Sequence, residues 1–364
     1  MRKKILLIIV AGLFMFPVFA QHPPLDKNWD TVFVDDFSTF NIGRWHKAHN
    51  AIHGNYEYNN PQKQTEEPQV YIQDNAYIEN GKLVLRTKQQ TYPCPKGHGY
   101  LNCQYGGTHN YTSGQIASNA TYKYGYFEIY AKLPASSGYW PAFWLWNSTS
   151  STQTSNCWYN EIDIFESSGC NNNIVTSNMH YGFQCPTNIY SNSKSVSLEA
   201  LNYNNKYHWY GLEWDKNKIT WYIDRKIVRQ IANNMEGTGI QNPMYIILNV
   251  ALNPIVSWWD CQISNSTIFP NYMYVDTANV WRLKYDCNTP VTINNANDLV
   301  NHDYKVKKSI SLSGATTLIS GQNVSLRATD YIELKEGFYV PPGAELYLDN
   351  NPCENIGIIK KERE

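Results

Sequence analysis

The chain is poor in charge. It carries 30 Lys and Arg against 31 Asp and Glu in 364 residues, a formal net charge of -1. A near-neutral chain has no electrostatic footprint for nucleic acid or an anionic membrane. Charged side chains make up 17% of the total, too few for a chain kept disordered by self-repulsion. Beyond the N-terminal leader, no apolar run is long enough to span a bilayer. No C-x-x-C or His-rich spacing marks a zinc site. No sustained helical period follows the leader, which excludes a helical bundle.

The leader itself is well formed. Arg2-Lys3-Lys4 gives a charged start, an apolar run follows from Ile5, and Val18-Phe19-Ala20 supplies a small-residue cleavage site. Residues 1–20 are therefore expected to be a signal peptide, placing the mature chain in a secreted, periplasmic or cell-surface location of bacterial type. The Cys content agrees: Cys94, Cys103, Cys157, Cys170, Cys185, Cys261, Cys287 and Cys353 make an even set of 8, as disulfides in an exported chain require. Cys94–Cys103 suits a local loop, and Cys157–Cys170 would staple an intervening strand. Cys185 with Cys261 and Cys287 with Cys353 would use the rest. Spacing alone leaves the connectivity open.

Aromatics are abundant, with 28 Tyr and 12 Trp. They sit in short alternating segments. Thr31-Val32-Phe33-Val34 reads as a first strand. Val70–Ile78 and Lys82–Thr87 read as two strands joined at Asn80-Gly81, a strong hairpin signal. The polar stretch from Trp45 to Pro68 and the segment from Thr91 to Gly107 read as loops. From Ser113 to Leu283 strand follows strand, the pattern of an all-β sandwich. In Gly138–Trp146 the residues Trp140, Ala142, Trp144 and Trp146 share one parity. Such a row either offers a platform for sugar rings or packs the sandwich core. The organisation expected is a large domain over 21–287, a linker over 288–308, a small stacked-strand β module over 309–350 and a tail over 351–364.

Glu161-Ile162-Asp163-Ile164-Phe165-Glu166 places three carboxylates in a β-forming stretch. Alternation puts Glu161 and Asp163 on one face and Ile162 and Ile164 on the other. A regular strand would then send Glu166 into the core, where an unpaired carboxylate is costly. One extra residue near Phe165, a β-bulge, would return Glu166 to the side of Glu161 and Asp163. Three carboxylates on one face must share protons, which separates their pKa values. Hydrolysis of a glycosidic bond uses such a set: one carboxylate attacks the sugar carbon while a protonated one serves the leaving oxygen. A solvated acidic strand or a calcium site would use the same residues, and the six-residue motif alone does not separate these readings.

Taken together, several segments resemble glycoside hydrolase family 16. They are Tyr124–Glu128 with Lys132-Leu133-Pro134, Gly138–Trp144, Glu161–Glu166, Tyr207–Trp214 and Asn242–Asn249, in the family's order across roughly residues 28–286. The bulged E-x-D-x-x-E form resembles the laminarinase and agarase branch. The resemblance implies a β-jelly-roll sandwich with a concave substrate cleft and retaining, endo-acting cleavage of a β-linked polysaccharide. It casts Glu161 as nucleophile, Glu166 as general acid/base and Asp163 as their helper. It places Trp140, Trp144 and His180 along the cleft, and Glu67 and Gln69 as substrate-facing residues. Ala48-His49-Asn50 adds a further candidate at position 49. No cofactor is required. A structural calcium ion on the convex face occurs in many members, and Asp276 is the candidate ligand. The expected partner is a polysaccharide and the expected state a monomer, with no nucleic acid bound and no membrane span. The expected activity is that of an endo-β-1,3-glucanase. A hydrolase of algal galactan is the alternative, although loops 46–68 and 88–110 offer Lys63, Lys88 and Lys96 but no Arg for a sulfated chain. A non-catalytic carbohydrate-binding sandwich is a third reading, but it would not need all three carboxylates.

Overall fold

The computed structural model describes residues 23, 29–47, 67–94, 107–149, 158–183, 189–191, 194–197, 201–215, 218–233, 240, 242–253, 261–283, 287–294, 306–314, 316–320 and 323–349. The leader, positions 49 and 50, and Cys103, Cys157, Cys185 and Cys353 lie outside them. Among the described residues no helix is long and apolar enough to cross a membrane.

Two mainly antiparallel sheets face each other. The first contains, in spatial order, Lys226–Ala232, Lys218–Ile223, His208–Trp214, Gly125–Lys132, Asn271–Leu283, Lys82–Cys94, Gly107–Ser113 and Gln69–Tyr71. The second runs Ile189–Ser191, Ile174–Phe183, Trp158–Glu166, Tyr139–Thr149, Tyr245–Leu252, Gln115–Ser118 and Trp45–Lys47. This is the jelly-roll sandwich.

Period-two alternation decides what fills the space between the sheets. Phe127, Ile129, Leu212, Trp214, Met273 and Val275 enter it from the first sheet. Phe143, Leu145, Ile162, Met179, Ile246 and Leu248 enter it from the second. Trp140, Trp144 and Trp146 have the opposite parity to Phe143 and Leu145, so the tryptophan row lies on the outer face of the second sheet. Trp146 is nevertheless buried there, beside Ala117 and Ile247, while Trp140 and Trp144 stay half-buried.

The hairpin at Asn80-Gly81 has both turn residues at positive φ, 52° and 68°, as a two-residue type I′ turn requires. Asp224-Arg225 makes a second such turn, at 48° and 64°, without a glycine. There Asp224 accepts hydrogen bonds from the Trp209 amide at 3.1 Å and bonds His208 Nδ1 at 2.8 Å. Arg225 stacks on Trp209 at 4.1 Å. These contacts offset the cost of the left-handed backbone.

Several expected boundaries move. The strand read over Val70–Ile78 is broken by a 3-10 turn at Gln73–Asn75, whose Asn75 amide donates to Thr112 Oγ1 at 2.9 Å. The strand from Lys82 continues to Cys94, taking in part of the segment read as a loop. Beyond the sandwich, four parallel strands form a third sheet: Val291–Ile293, Val306–Leu312, Asn323–Leu334 and Glu345–Asp349. The first of them falls inside the stretch 288–308 read as a linker. The segments 324–326 and 331–334, read as separate strands, are one. Thr317-Leu318-Ile319 contributes only a bridge from Thr317 to Tyr339. The module has its own core of Ile293, Ile310, Leu312, Leu318, Val324 and Leu326. A buried ion pair joins it to the sandwich, Arg327 Nη2 to Asp215 Oδ1 at 3.4 Å.

The disulfide map also differs. Cys170 pairs with Cys261, not with Cys157, and Cys261 is not the partner of Cys185. Sequence proximity favoured the short pairing. The loop after the acidic strand instead meets the loop after Tyr245–Leu252.

Candidate active site

The strand Trp158–Glu166 lies between Tyr139–Thr149 and Ile174–Phe183. Glu161 stands opposite Trp146 on one side and His180 on the other, and Asp163 opposite Trp144 and Asn178. The register then slips. Toward the tryptophan strand, Phe165 pairs with Phe143, so a step of two residues past Asp163 answers a step of one residue back from Trp144. Toward the other neighbour, Glu166 pairs with Thr176, so three steps answer two. This is a β-bulge at Ile164-Phe165, and its effect is visible in burial. Ile164 and Phe165 are consecutive yet both enter the sandwich core. Glu166 is thereby returned to the face of Glu161 and Asp163, opposite Ala142.

The three carboxylates are not equivalent. Asp163 is buried, while Glu161 and Glu166 are half-buried. Donor atoms of Glu161, Asp163 and His180 lie within 4.8 Å of one another. Burial raises the Glu166 carboxyl well above the usual carboxylate range, and the charges of Asp163 and Glu161 raise it further. Trp140 opposes this by donating Nε1–H to Glu166 Oε1 at 2.9 Å. The sequence anticipated the like-charge effect but not that burial outweighs it. Burial and like charge thus favour the protonated form of Glu166, whose orientation is fixed by an indole.

His180 is the counterweight. Its Nε2 lies 3.5 Å from Asp163 Oδ2 and 2.8 Å from Asn178 Nδ2. Burial pulls the ring's pKa down, but the hydrogen bond to Asp163 and the charges of Glu161, Asp163 and Glu166 outweigh it and lift the value to about 9. A charged ring directs Nε2–H to Asp163; a neutral ring protonated on Nδ1 accepts from Asn178. The raised pKa favours the charged ring inside the acidic cluster. Because the folded value exceeds the ordinary 6.5, the stability this group contributes is complete below pH 6.5 and lost as pH rises through about 9. His180→Gln should flatten that part of the stability profile, as followed by thermal melts across the same window.

The other expected site residues divide. Trp144 donates Nε1–H to Asn249 Oδ1 at 2.8 Å. Asn249 Nδ2 donates to Tyr71 Oη at 2.9 Å. Gln69 Nε2 donates to Tyr71 Oη at 3.1 Å and to Glu67 Oε2 at 2.8 Å. A continuous relay thus runs from half-buried Trp144 to Glu67. Gln69 does not face a substrate: it is fully buried, and its Oε1 accepts from the Leu252 amide at 2.9 Å. It braces Glu67, which remains half-buried at the end of the relay. Asp276, the candidate calcium ligand, pairs its Oδ1 with the Lys82 ammonium. Among the described residues no group of three or more metal-type donors includes Asp276.

The sequence reading passed over Asn249, Asn178, Trp221 and Arg229. Signals for two of them were present. Asn249 is the one polar residue of Tyr245–Leu252. Arg229 falls two residues from Ile231, which packs against the core, a spacing that suggests an inward charge; a register slip in Lys226–Ala232 leaves Ile227 exposed.

A jelly-roll sandwich with a bulged triad of carboxylates on one sheet, flanked by half-buried tryptophans, defines a class of glycan-processing protein. The sequence pattern described as "Glycosyl hydrolases family 16" matches residues 63–267. The chain belongs to that family. It is 28% identical over 221 residues to a glucan endo-1,3-beta-glucosidase A1 of Niallia circulans, a match covering 57% of this chain and 31% of that protein. The chain thus spans under a third of that relative's length. It is 29% identical over 287 residues to a kappa-carrageenase of Pseudoalteromonas carrageenovora, covering 70% of this chain and 68% of that one. Among solved structures, the laminarinase catalytic domain of Thermotoga maritima superposes with a TM-score of 0.57 at 25% identity, over 71% of this chain and 100% of that one.

Proposed function

We propose that the protein is an exported, retaining, endo-acting hydrolase of β-linked polysaccharide, with β-1,3-glucan as its substrate. The observation that carries this reading is the bulge at Ile164-Phe165, which brings Glu161 and Glu166, whose pKa burial and like charge raise, to one face. Glu161 attacks the anomeric carbon as the bond to the leaving oxygen breaks, and Glu166 delivers its proton to that oxygen. In the second half Glu166, now a carboxylate, takes a proton from water. The water oxygen displaces Glu161 and restores both groups. Asp163, paired with His180, keeps a negative charge beside Glu166 and so favours its protonated resting form. Half-buried Trp140 and Trp144 supply flat surfaces for sugar rings. The glucanase relatives support the choice of substrate. The leader pattern and the disulfide support export.

The kappa-carrageenase relative favours a second reading, cleavage of an algal galactan. Incubation with laminarin, mixed-linkage glucan, agarose and carrageenan side by side, with product analysis by size and anomeric configuration, tests both. Laminarin oligosaccharides released first with retained configuration are the expected result; release from carrageenan or agarose alone would replace the glucan reading with the galactan one.

Trp140 offers a finer test. Trp140→Phe keeps a ring but removes the Nε1–H that favours ionised Glu166. The basic limb of the kcat/KM profile should therefore move to higher pH. An unmoved limb would separate Glu166 from the acid role.

A further inference from the structure

A bulge solves the problem of where Glu166 points and creates another. The extra residue disrupts the ladder, leaving main-chain groups at the bulge to find partners elsewhere. A buried carbonyl without a partner costs about 1–3 kcal/mol. At this bulge two carbonyls are met from the other sheet. The Asp163 carbonyl accepts from Trp221 Nε1 at 2.9 Å. Ser177 lies between Thr176 and Asn178, whose partners are Glu166 and Asp163, so it stands across from the extra residue. Its carbonyl accepts from Arg229 Nη1 at 2.8 Å, and its Oγ lies 3.0 Å from the same nitrogen.

Trp221 and Arg229 are themselves cross-strand partners in the first sheet. The guanidinium sits 4.4 Å from the Trp221 ring centroid. Both side chains are nearly inaccessible, at 1% and 5% exposure. A well-packed apolar pair would normally serve a sandwich core at least as well as a buried cation. The cation is explained by what it reaches: the backbone opposite the bulge, beneath the acidic cluster.

We propose that Trp221 and Arg229 form a clamp across the sandwich that holds the bulge and thereby sets Asp163 and Glu166 in register with Glu161. They are positioning residues for the hydrolysis proposed above, and the clamp rests on that reading for its catalytic consequence. They touch no substrate, because they act from the core side of the sheet. Arg229 also places a positive charge under Asp163. Burial lowers its pKa to about 10 against the opposing influence of Asp163, and it remains charged at neutral pH.

The test compares Trp221→Phe, which keeps a ring and removes one N–H, with Arg229→Met and Arg229→Lys. Each is assayed for kcat and KM on the glycan cleaved by the wild type, for folding by near-ultraviolet circular dichroism, and for the His180 ring titration by NMR. Misplacing reacting groups by about 1 Å can cost about 100-fold in rate, so Trp221→Phe and Arg229→Met should lose about 10- to 100-fold in kcat with KM within about twofold. The His180 midpoint should fall from about 9 toward 6.5 as Asp163 withdraws. Arg229→Lys, able to donate to the Ser177 carbonyl, should recover part of both. Folded variants with unchanged kcat, or a fall in kcat with an unmoved His180 titration, would overturn the clamp. If Arg229→Met does not fold, Trp221→Phe and Arg229→Lys decide. If the wild type cleaves no glycan, the hydrolase reading fails, and the His180 titration alone then judges the clamp.

Discussion

Glu161→Gln should lower hydrolysis by about 10^4-fold or more while leaving glycan binding intact, since loss of a covalent nucleophile is among the largest single-residue effects known. The amide has nearly the volume of the carboxylate, so the cleft keeps its shape. The main causes that raise the Glu166 pKa should persist in the variant. Burial is the largest cause of its raised pKa and Asp163 the next, so removing the charge of Glu161 takes away only a lesser one. The lost rate can then be assigned to the missing nucleophile rather than to a lost acid. Release of reducing ends and equilibrium binding of an oligosaccharide, measured on the same preparation, check it. Turnover within about tenfold of the wild type would remove Glu161 from the nucleophile role, since that is far less than such a loss costs. Glu166→Gln distinguishes the two carboxylates. An aryl glycoside with a good leaving group needs no proton to depart, so its first step should survive in Glu166→Gln and fail in Glu161→Gln.

The parts of this site that could be read from the sequence are those governed by local periodicity. The E-x-D-x-x-E spacing conflicts with a regular strand, and a bulge was the cheapest resolution; the register slips between Asp163 and Phe165. Parity separated Trp140, Trp144 and Trp146 from Phe143 and Leu145, though it could not say which set faced the core. The turn at Asn80-Gly81 carries its chemistry in two adjacent residues. What escaped was contact across the fold. Trp221 lies 58 positions from Asp163 and Arg229 lies 52 from Ser177, and no period within a strand records such a meeting. Gln69 was misplaced for a related reason. Its type suits substrate binding, and only the third dimension shows both ends of its amide already engaged. Val291–Ile293 was lost in a polar stretch because a three-residue strand has too few positions to show alternation.

Removing the Cys170–Cys261 disulfide should cost substantial stability. Cys170 and Cys261 are separated by 91 residues. In the chain-entropy account, a closed loop of that size restricts the unfolded chain by about 4–5 kcal/mol. For a domain of this size that corresponds to a fall in Tm on the order of 10 °C. The bridge also lies in a tightly fitted corner. The Gly138 amide points at Cys261 Sγ at 3.4 Å, and the Asn253 side chain donates to the Cys261 carbonyl at 2.9 Å. The Asn253 amide in turn donates to the Gly138 carbonyl at 2.8 Å. Gly138 and Gly169, at φ of 82° and 68°, have no room for a Cβ, which would meet the Ile263 backbone and Tyr139 respectively. This corner holds both the end of the acidic strand, through Ser167 and Ser168, and the start of the tryptophan strand, where Trp140 orients Glu166. Cys170→Ser with Cys261→Ser should therefore lower kcat as well as Tm, with the activity loss already present at temperatures where the variant is fully folded. Thermal melts and initial rates on the double variant measure the two effects. A Tm within about 2 °C of the wild type, equivalent to under about 1 kcal/mol, would show that the corner is held by its hydrogen bonds and packing, not by the covalent bridge.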